Sequence, residues 1–247
     1  MPHVLVWDIE TVPDLAGFAA ANGHEGKTED EIRAELGDKF PKHIYHSIIY
    51  IGALIAHHQD DHWVVDALGA PHVGDRSERD LIAAFADRIA ELNPQLVTFN
   101  GSSFDLPVLR YRAMVHKVPA IGLAARPYFK RYTDDAVDLC DVLSSFSHGA
   151  KSTLHELCRV MGLSGKPDGI NGAEVAQFYR EGRIREIAVE ELASFMKANE
   201  MDGAKSVHFV FANSPPEGPQ ASNHIAINLS GFSNGFDAFR IACASSQ

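Results

Sequence analysis

Apolar and polar positions alternate along the chain in two distinct rhythms. HVLVWDI (residues 3–9) and QLVTFN (95–100) are nearly continuous apolar runs of strand length, which predicts strands buried on both faces. HSIIYIGALIAHH (46–58) and HWVVDALGA (62–70) are β-rich and joined by QDD, which predicts an antiparallel hairpin. In SERDLIAAFADRIAEL the apolar residues Leu81, Ile82, Phe85, Ile89 and Leu92 recur at helical spacing. Ser77 is placed to cap that helix and Asn93-Pro94 to end it. FDLPVLRYRAMVHK (104–117) predicts a second helix, reached from QLVTFN through the loop GSS.

Residues 13–43 form an excursion that contains a short helix, because Thr28 and Glu31 stand at capping-box spacing and Gly37 is a stop. AVDLCDVLSSF (136–146) passes from a short strand into a helix. Thr153 and Glu156 form a second capping box ahead of LHELCRVMGL. After the turn-rich GKPDGING, AEVAQFYREG and the run from Arg183 to about Met201 are expected to be helical. Strand, hairpin, helix, strand and helix in this order predict an α/β fold, a mixed sheet flanked by helices.

Composition changes near residue 203. From there to residue 247 the only charged residues are Lys205, Glu217, Asp237 and Arg240, and Pro, Ser, Asn and Gly dominate. The expected organisation is a domain over 1–202, followed over 203–247 by a loose tail with one short strand at HIAINL. Asp8 interrupts the leading apolar run too early for a signal peptide, and no stretch approaches the ~18 apolar residues of a membrane span. Three cysteines without paired spacing argue against a disulfide framework, so a reducing cytoplasm is expected, with no membrane partner. Nothing in the sequence specifies an oligomeric state.

The formal net charge of −11 opposes a general nucleic-acid binder, unless part of it is committed to metal ions. The first strand points to such a commitment. It ends in Asp8 and Glu10, separated by one residue and therefore on one face. Two like charges at the end of a core strand are costly unless a cation lies between them. Asp105, at the start of the helix after QLVTFN, joins them if the two strands are neighbours. Hard oxygen ligands without cysteine suit Mg²⁺ or Mn²⁺.

Asp8-Ile9-Glu10-Thr11, followed by Asn100-Gly101-Ser102-Ser103-Phe104-Asp105, resembles the first two motifs of the DEDD 3′–5′ exonucleases. With FPKHIYHSII, LVTFNGSSFDLPVLRYRA and DLCDVLSSF through STLHELCRVMGLSGKPDGI, residues 3–188 resemble the predicted exonucleases related to the proofreading domain of family B DNA polymerases. The resemblance implies a ribonuclease-H-like fold and a two-metal 3′–5′ exonuclease using Mg or Mn. Its substrate would be the 3′ end of a single-stranded nucleic acid, with DNA expected. Asp8, Glu10 and Asp105 would be catalytic metal ligands. The family's third motif, Tyr-x-x-x-Asp, finds its nearest fit in Ala198-Asn199-Glu200-Met201-Asp202, with alanine for tyrosine and Asp202 as the fourth ligand; that fit needs extra residues after Ala188, and without them Glu190 or Glu191 would have to serve. Thr11, Asn100 and Phe104, within the motifs, are candidate substrate contacts. So are Arg110 and Arg131, which with Arg112, Arg126, Lys130, Tyr128, Phe129 and Tyr132 mix cations and flat rings as a single-strand site does.

Other constellations have simpler readings. His57, His58, Asp60, Asp61 and His62 could bind zinc but fall at the hairpin turn, where polar residues belong anyway. His43 and His46 could face substrate or pack. Asp138 and Asp141 suit helix capping, with Asp138 also able to support a metal site. An altered third motif leaves a second class of function open, a nucleic-acid-binding module that keeps the fold without the chemistry. A metal-dependent phosphatase acting on small nucleotides is a third.

Overall fold

The computed structural model describes residues 2–37, 39–59, 62–161, 172–187, 200–201, 204–211, 223–228 and 239–245. Strand β1 (His3–Pro13) lies at the centre of the first five strands. On one side it pairs antiparallel with β2 (His46–Gln59), which forms the expected hairpin with β3 (His62–Gly69). On the other side it runs parallel to β4 (Gln95–Thr98), which is parallel to β5 (Ala136–Asp138). The order β5-β4-β1-β2-β3 is thus a mixed sheet, as expected. Backbone strands β6 (Glu200–Met201), β7 (Ala204–Phe211), β8 (Asn223–Asn228) and β9 (Phe239–Ser245) continue it beyond β3. Glu200 and Met201 are therefore in a strand, where the sequence predicted the end of a helix.

Helices follow their caps. In α2 (Glu29–Leu36) and α6 (Leu154–Val160) both predicted capping boxes close, through Thr28 with Glu31 and Thr153 with Glu156. Ser77 caps α3 (Glu78–Leu92), and Asn93 ends it in a left-handed conformation. The excursion also holds α1 (Leu15–Asn22), capped by Asp14. The sequence did not announce that helix, because LAGFAAAN carries no polar face to set a period. α4 (Asp105–Val115), α5 (Leu139–Leu143) and α7 (Gly172–Arg180) occupy predicted positions.

The main core lies on the face of β1 that carries Leu5, Trp7 and Ile9, covered by Leu81, Ile82, Phe85 and Ile89 of α3 and Leu106 and Leu109 of α4. On the opposite face, Val12, Ile49 and Tyr50 pack with Val175 of α7 and with Ile184 and Ile187. A turn at Ile121–Ala124 lies so close to α3 that a Cβ on Gly122 would meet the Ala86 carbonyl oxygen at 2.1 Å, so only glycine fits there.

One buried cation ties these layers together. Arg112 of α4 is 4% exposed. It bonds both carboxylate oxygens of Glu78, at 2.7 and 2.6 Å, and the carboxylate of Asp14. Glu78 also accepts the Ile48 N–H of β2 at 2.6 Å and contacts His116 at 2.8 Å. The segment following β1, the start of α3, strand β2 and helix α4 thus share one ionic knot. The sequence reading that placed Arg112 among strand-binding cations is corrected here: the residue is buried and its donors are committed within the fold. Breaking such a pair leaves uncompensated buried charge. Arg112→Ala is expected to cost about 3–5 kcal/mol, measured by urea denaturation of the two proteins.

Candidate active site

The ladder between β1 and β4 pairs Val4–Val6 with residues 95–97. Just beyond it, the Ile9 N–H is taken by the Asp105 carboxylate, Oδ1 at 3.2 Å. Asp105 is only 4% exposed and is the first residue of α4, with Phe104 as its N-cap. Its carboxylate reaches across to β1, where it meets Asp8. Burial, then the Asp8 charge and a side-chain hydrogen bond with Asp8, push the Asp105 carboxyl well above the usual carboxylate range.

Asp8 is exposed and Glu10 partly so. Their partners across β2 are Gly52 and Tyr50, and the register slips between Glu10 and Thr11. Thr11 bonds the His46 ring at 3.0 Å. His46 stacks edge-on against Phe104, ring centroids 5.0 Å apart, and Phe40 and His43 pack on the same Phe104 ring at 5.4 and 5.8 Å. Burial, then the His43 charge against a favourable bond to the Pro41 carbonyl, lowers the His46 pKa. Thr11, Phe104 and the histidines thus form one aromatic shelf. Among the described residues, no group of three or more His, Cys, Asp and Glu side chains stands ready to hold a metal ion.

The loop from β4 to Asp105 is built for a tight approach. Asn100 has φ 68°, and a Cβ on Gly101 would meet Thr98 at 2.5 Å, so glycine is required. Asp138, 4% exposed, accepts the Asn100 and Ser102 N–H groups at 2.7 and 2.9 Å, and also caps α5 through Cys140 N at 3.0 Å. It therefore caps α5, as its sequence position suggested, and also holds the loop that leads to Asp105. Behind it, Asp141 binds Arg131 and Lys151, and the Lys151 ammonium also reaches the Asn100 side chain at 3.4 Å. Lys151 gave no signal in the sequence, since it lies 51 residues from Asn100 outside any motif.

The cationic and aromatic residues separate. Tyr128 is a core residue whose hydroxyl donates to the Pro94 carbonyl at 2.7 Å, and burial pushes its pKa up to about 12. Arg126 pairs with Asp135. Arg110 lies over the Phe129 ring at 4.5 Å, beside a 680 Å³ cavity that Asp8, Glu10 and Asp105 do not line. Arg131 instead borders a 280 Å³ cavity together with Ser102 and Asp138. Asp202, Glu190, Glu191 and the Ala198–Asn199 part of the expected third motif lie outside the described residues, as do Asp60 and Asp61 of the hairpin turn.

Burial raises the Asp141 pKa, but the Lys151 hydrogen bond and the charges of Lys151 and Arg131 outweigh it and hold the carboxyl below its ordinary value. A native pKa depressed below the unfolded one gives stability that is present above the ordinary value of 3.8 and lost as pH falls through the native value. Asp141→Asn is expected to cost about 1.5–3 kcal/mol at neutral pH. The gap to wild type should close in urea melts at progressively lower pH.

Among solved structures, the chain is similar to a family B DNA polymerase from the hyperthermophilic archaeon Pyrobaculum calidifontis, with a TM-score of 0.51 and 16% identity over 80% of this chain. It spans 23% of that polymerase. A further match, at TM-score 0.38 and 12% identity, is E. coli Exonuclease I in complex with an oligonucleotide, covering 94% of this chain and 55% of that one. No curated protein sequence matches. The mixed sheet and the likeness to the polymerase bear out the expected α/β, ribonuclease-H-like fold. No helix among the described residues is long and apolar enough to cross a membrane. The family model that matches covers residues 38–190, which takes in Asp105 and Asp138 but not Asp8, Glu10 or Asp202. Over that span the chain belongs to the predicted 3′–5′ exonucleases related to the exonuclease domain of PolB.

Proposed function

We propose that this chain is a metal-dependent 3′–5′ exonuclease that hydrolyses the terminal phosphodiester of single-stranded nucleic acid, with DNA as the expected substrate. The observation that carries the reading is the placement of buried Asp105 against Asp8, in the middle of the central strand just past its ladder with β4, within a chain of this family. A fold gains nothing from holding a buried carboxylate against a second one. A divalent cation would supply the missing counter-charge and let both ionise, and carboxylate oxygens are the ligands that Mg²⁺ and Mn²⁺ prefer.

In this reading Asp8, Glu10 and Asp105 hold the ions, and Asp202 completes the set. The bound ions would supply an activated water and neutralise the charge that develops on the scissile phosphate. The chain's own residues do the rest. Asp8 faces solvent, so substrate meets the site from the open side. The Phe104 shelf, with Thr11 beside it, receives the terminal base by stacking, a sequence-tolerant contact. Asn100 and Arg131, beside the Asp138-pinned loop, lie where the strand's phosphates would run. Arg110 serves a more distant part of the strand.

A 5′-labelled single-stranded oligonucleotide should shorten from its 3′ end with Mn²⁺ or Mg²⁺ and remain intact with chelator. Asp8→Ala should lower the rate by more than the ~10–100-fold typical of losing an outer-shell partner. Mn²⁺ at about 100 times its Kd should stabilise the wild type by about 2.7 kcal/mol in thermal melts, and Asp105→Asn should remove that gain. A folded wild type that binds the oligonucleotide without cutting it would instead leave the nucleic-acid-binding module as the function.

A further inference from the structure

Tyr50 belongs to none of the sequence motifs, yet it stands at the carboxylate face of β1. It is the cross-strand partner of Glu10 and is 3% exposed. Its ring packs with Val12, Ile49, Val175, Ile184 and Ile187. From there it extends along β2 over Gly52, where a Cβ would lie 2.6 Å from the phenol oxygen. Gly52 is the partner of Asp8. Opposed residues of an antiparallel pair project to the same face, with Cβ atoms about 4.5–5.5 Å apart. The hydroxyl therefore lies beside the base of the Asp8 side chain, one residue pair from Glu10.

Position 52 must be glycine for the phenol to be there. The strand beneath it is held firmly: the Ile51 N–H donates to the Pro71 carbonyl at 3.1 Å, the Val73 N–H to the Ile49 carbonyl at 2.9 Å, and Tyr50 itself bridges to His72. An apolar cluster thus aims one polar tip at the carboxylates from a rigid strand.

Resting on the exonuclease reading, we infer that the Tyr50 hydroxyl orients the attacking water. In the step, the water oxygen forms a bond to phosphorus as the bond from phosphorus to the 3′ oxygen breaks. One proton leaves the water and one reaches the departing 3′ oxygen. Tyr50 accepts a hydrogen bond from the water and exchanges no proton.

The test compares wild type, Tyr50→Phe, Gly52→Ala and the double variant on a labelled single-stranded oligonucleotide with Mn²⁺, with Asp8→Ala as control. Tyr50→Phe keeps the ring and its packing. It should lower kcat by ~10²-fold and leave KM unchanged. Its affinity for a fluorescent oligonucleotide in chelator, read by anisotropy, and its urea midpoint should also match wild type. Gly52→Ala puts a methyl where the hydroxyl sits, so it should reproduce the kcat loss, and the double variant should lose little more than either single one. A Tyr50→Phe enzyme with wild-type kcat, or one whose loss lies in KM or in stability, overturns the assignment. If wild type cuts and Asp8→Ala does not, that failure concerns Tyr50 alone. If wild type does not cut, the exonuclease reading fails and this inference with it.

Discussion

Arg112 is the constraint on which the placement of the site depends. Its guanidinium is shared between Glu78 and Asp14, and Glu78 in turn holds the backbone of β2. A planar fork that satisfies two carboxylates at once fixes orientation as well as distance, which a lysine could not do. With its helix held in this way, the first residue of α4 has little freedom, and that residue is Asp105. The buried carboxylate is thus positioned from two ends, by the knot at Arg112 and by the Ile9 N–H it accepts.

A second buttress works from the other side. Asp138 gathers the N–H groups of the turn before α4, and Asp141, Lys151 and Arg131 form a charged layer behind it. A carboxylate that accepts several backbone bonds holds a loop more rigidly than apolar packing would, because the alternative is unsatisfied buried donors. The exposed Asp8 and the buried Asp105 therefore meet between two polar frameworks, on a sheet whose two faces are sealed by separate apolar clusters.

Much of this was legible in the sequence wherever the cause was local. The capping boxes at Thr28 and Thr153, the period of α3 and the β-rich hairpin are short-range patterns, and they formed as read. Asp8 and Asp105 could be paired because their flanking runs read as strands. Where the cause was long-range, the reading missed or misassigned. Arg112 and Tyr128 looked like surface cations and rings because composition carries no burial, and their carboxylate and carbonyl partners lie 34 residues or more away. Lys151 and Tyr50 were invisible for the same reason, since only sheet register and loop closure bring them to the site. α1 was missed because its Ala- and Gly-rich run has no polar face to reveal a period.

Helix α4 begins with Asp105 and carries Arg112 seven residues later. At 3.6 residues per turn, two turns bring both residues onto nearly the same stripe, about 10 Å apart along the axis. One added or deleted residue between them would rotate one by about 100° relative to the other, and no adjustment of the flanking loops could bring both back. Across natural variation, the stretch from 105 to 112 should therefore tolerate substitution on its exposed side but no change in length.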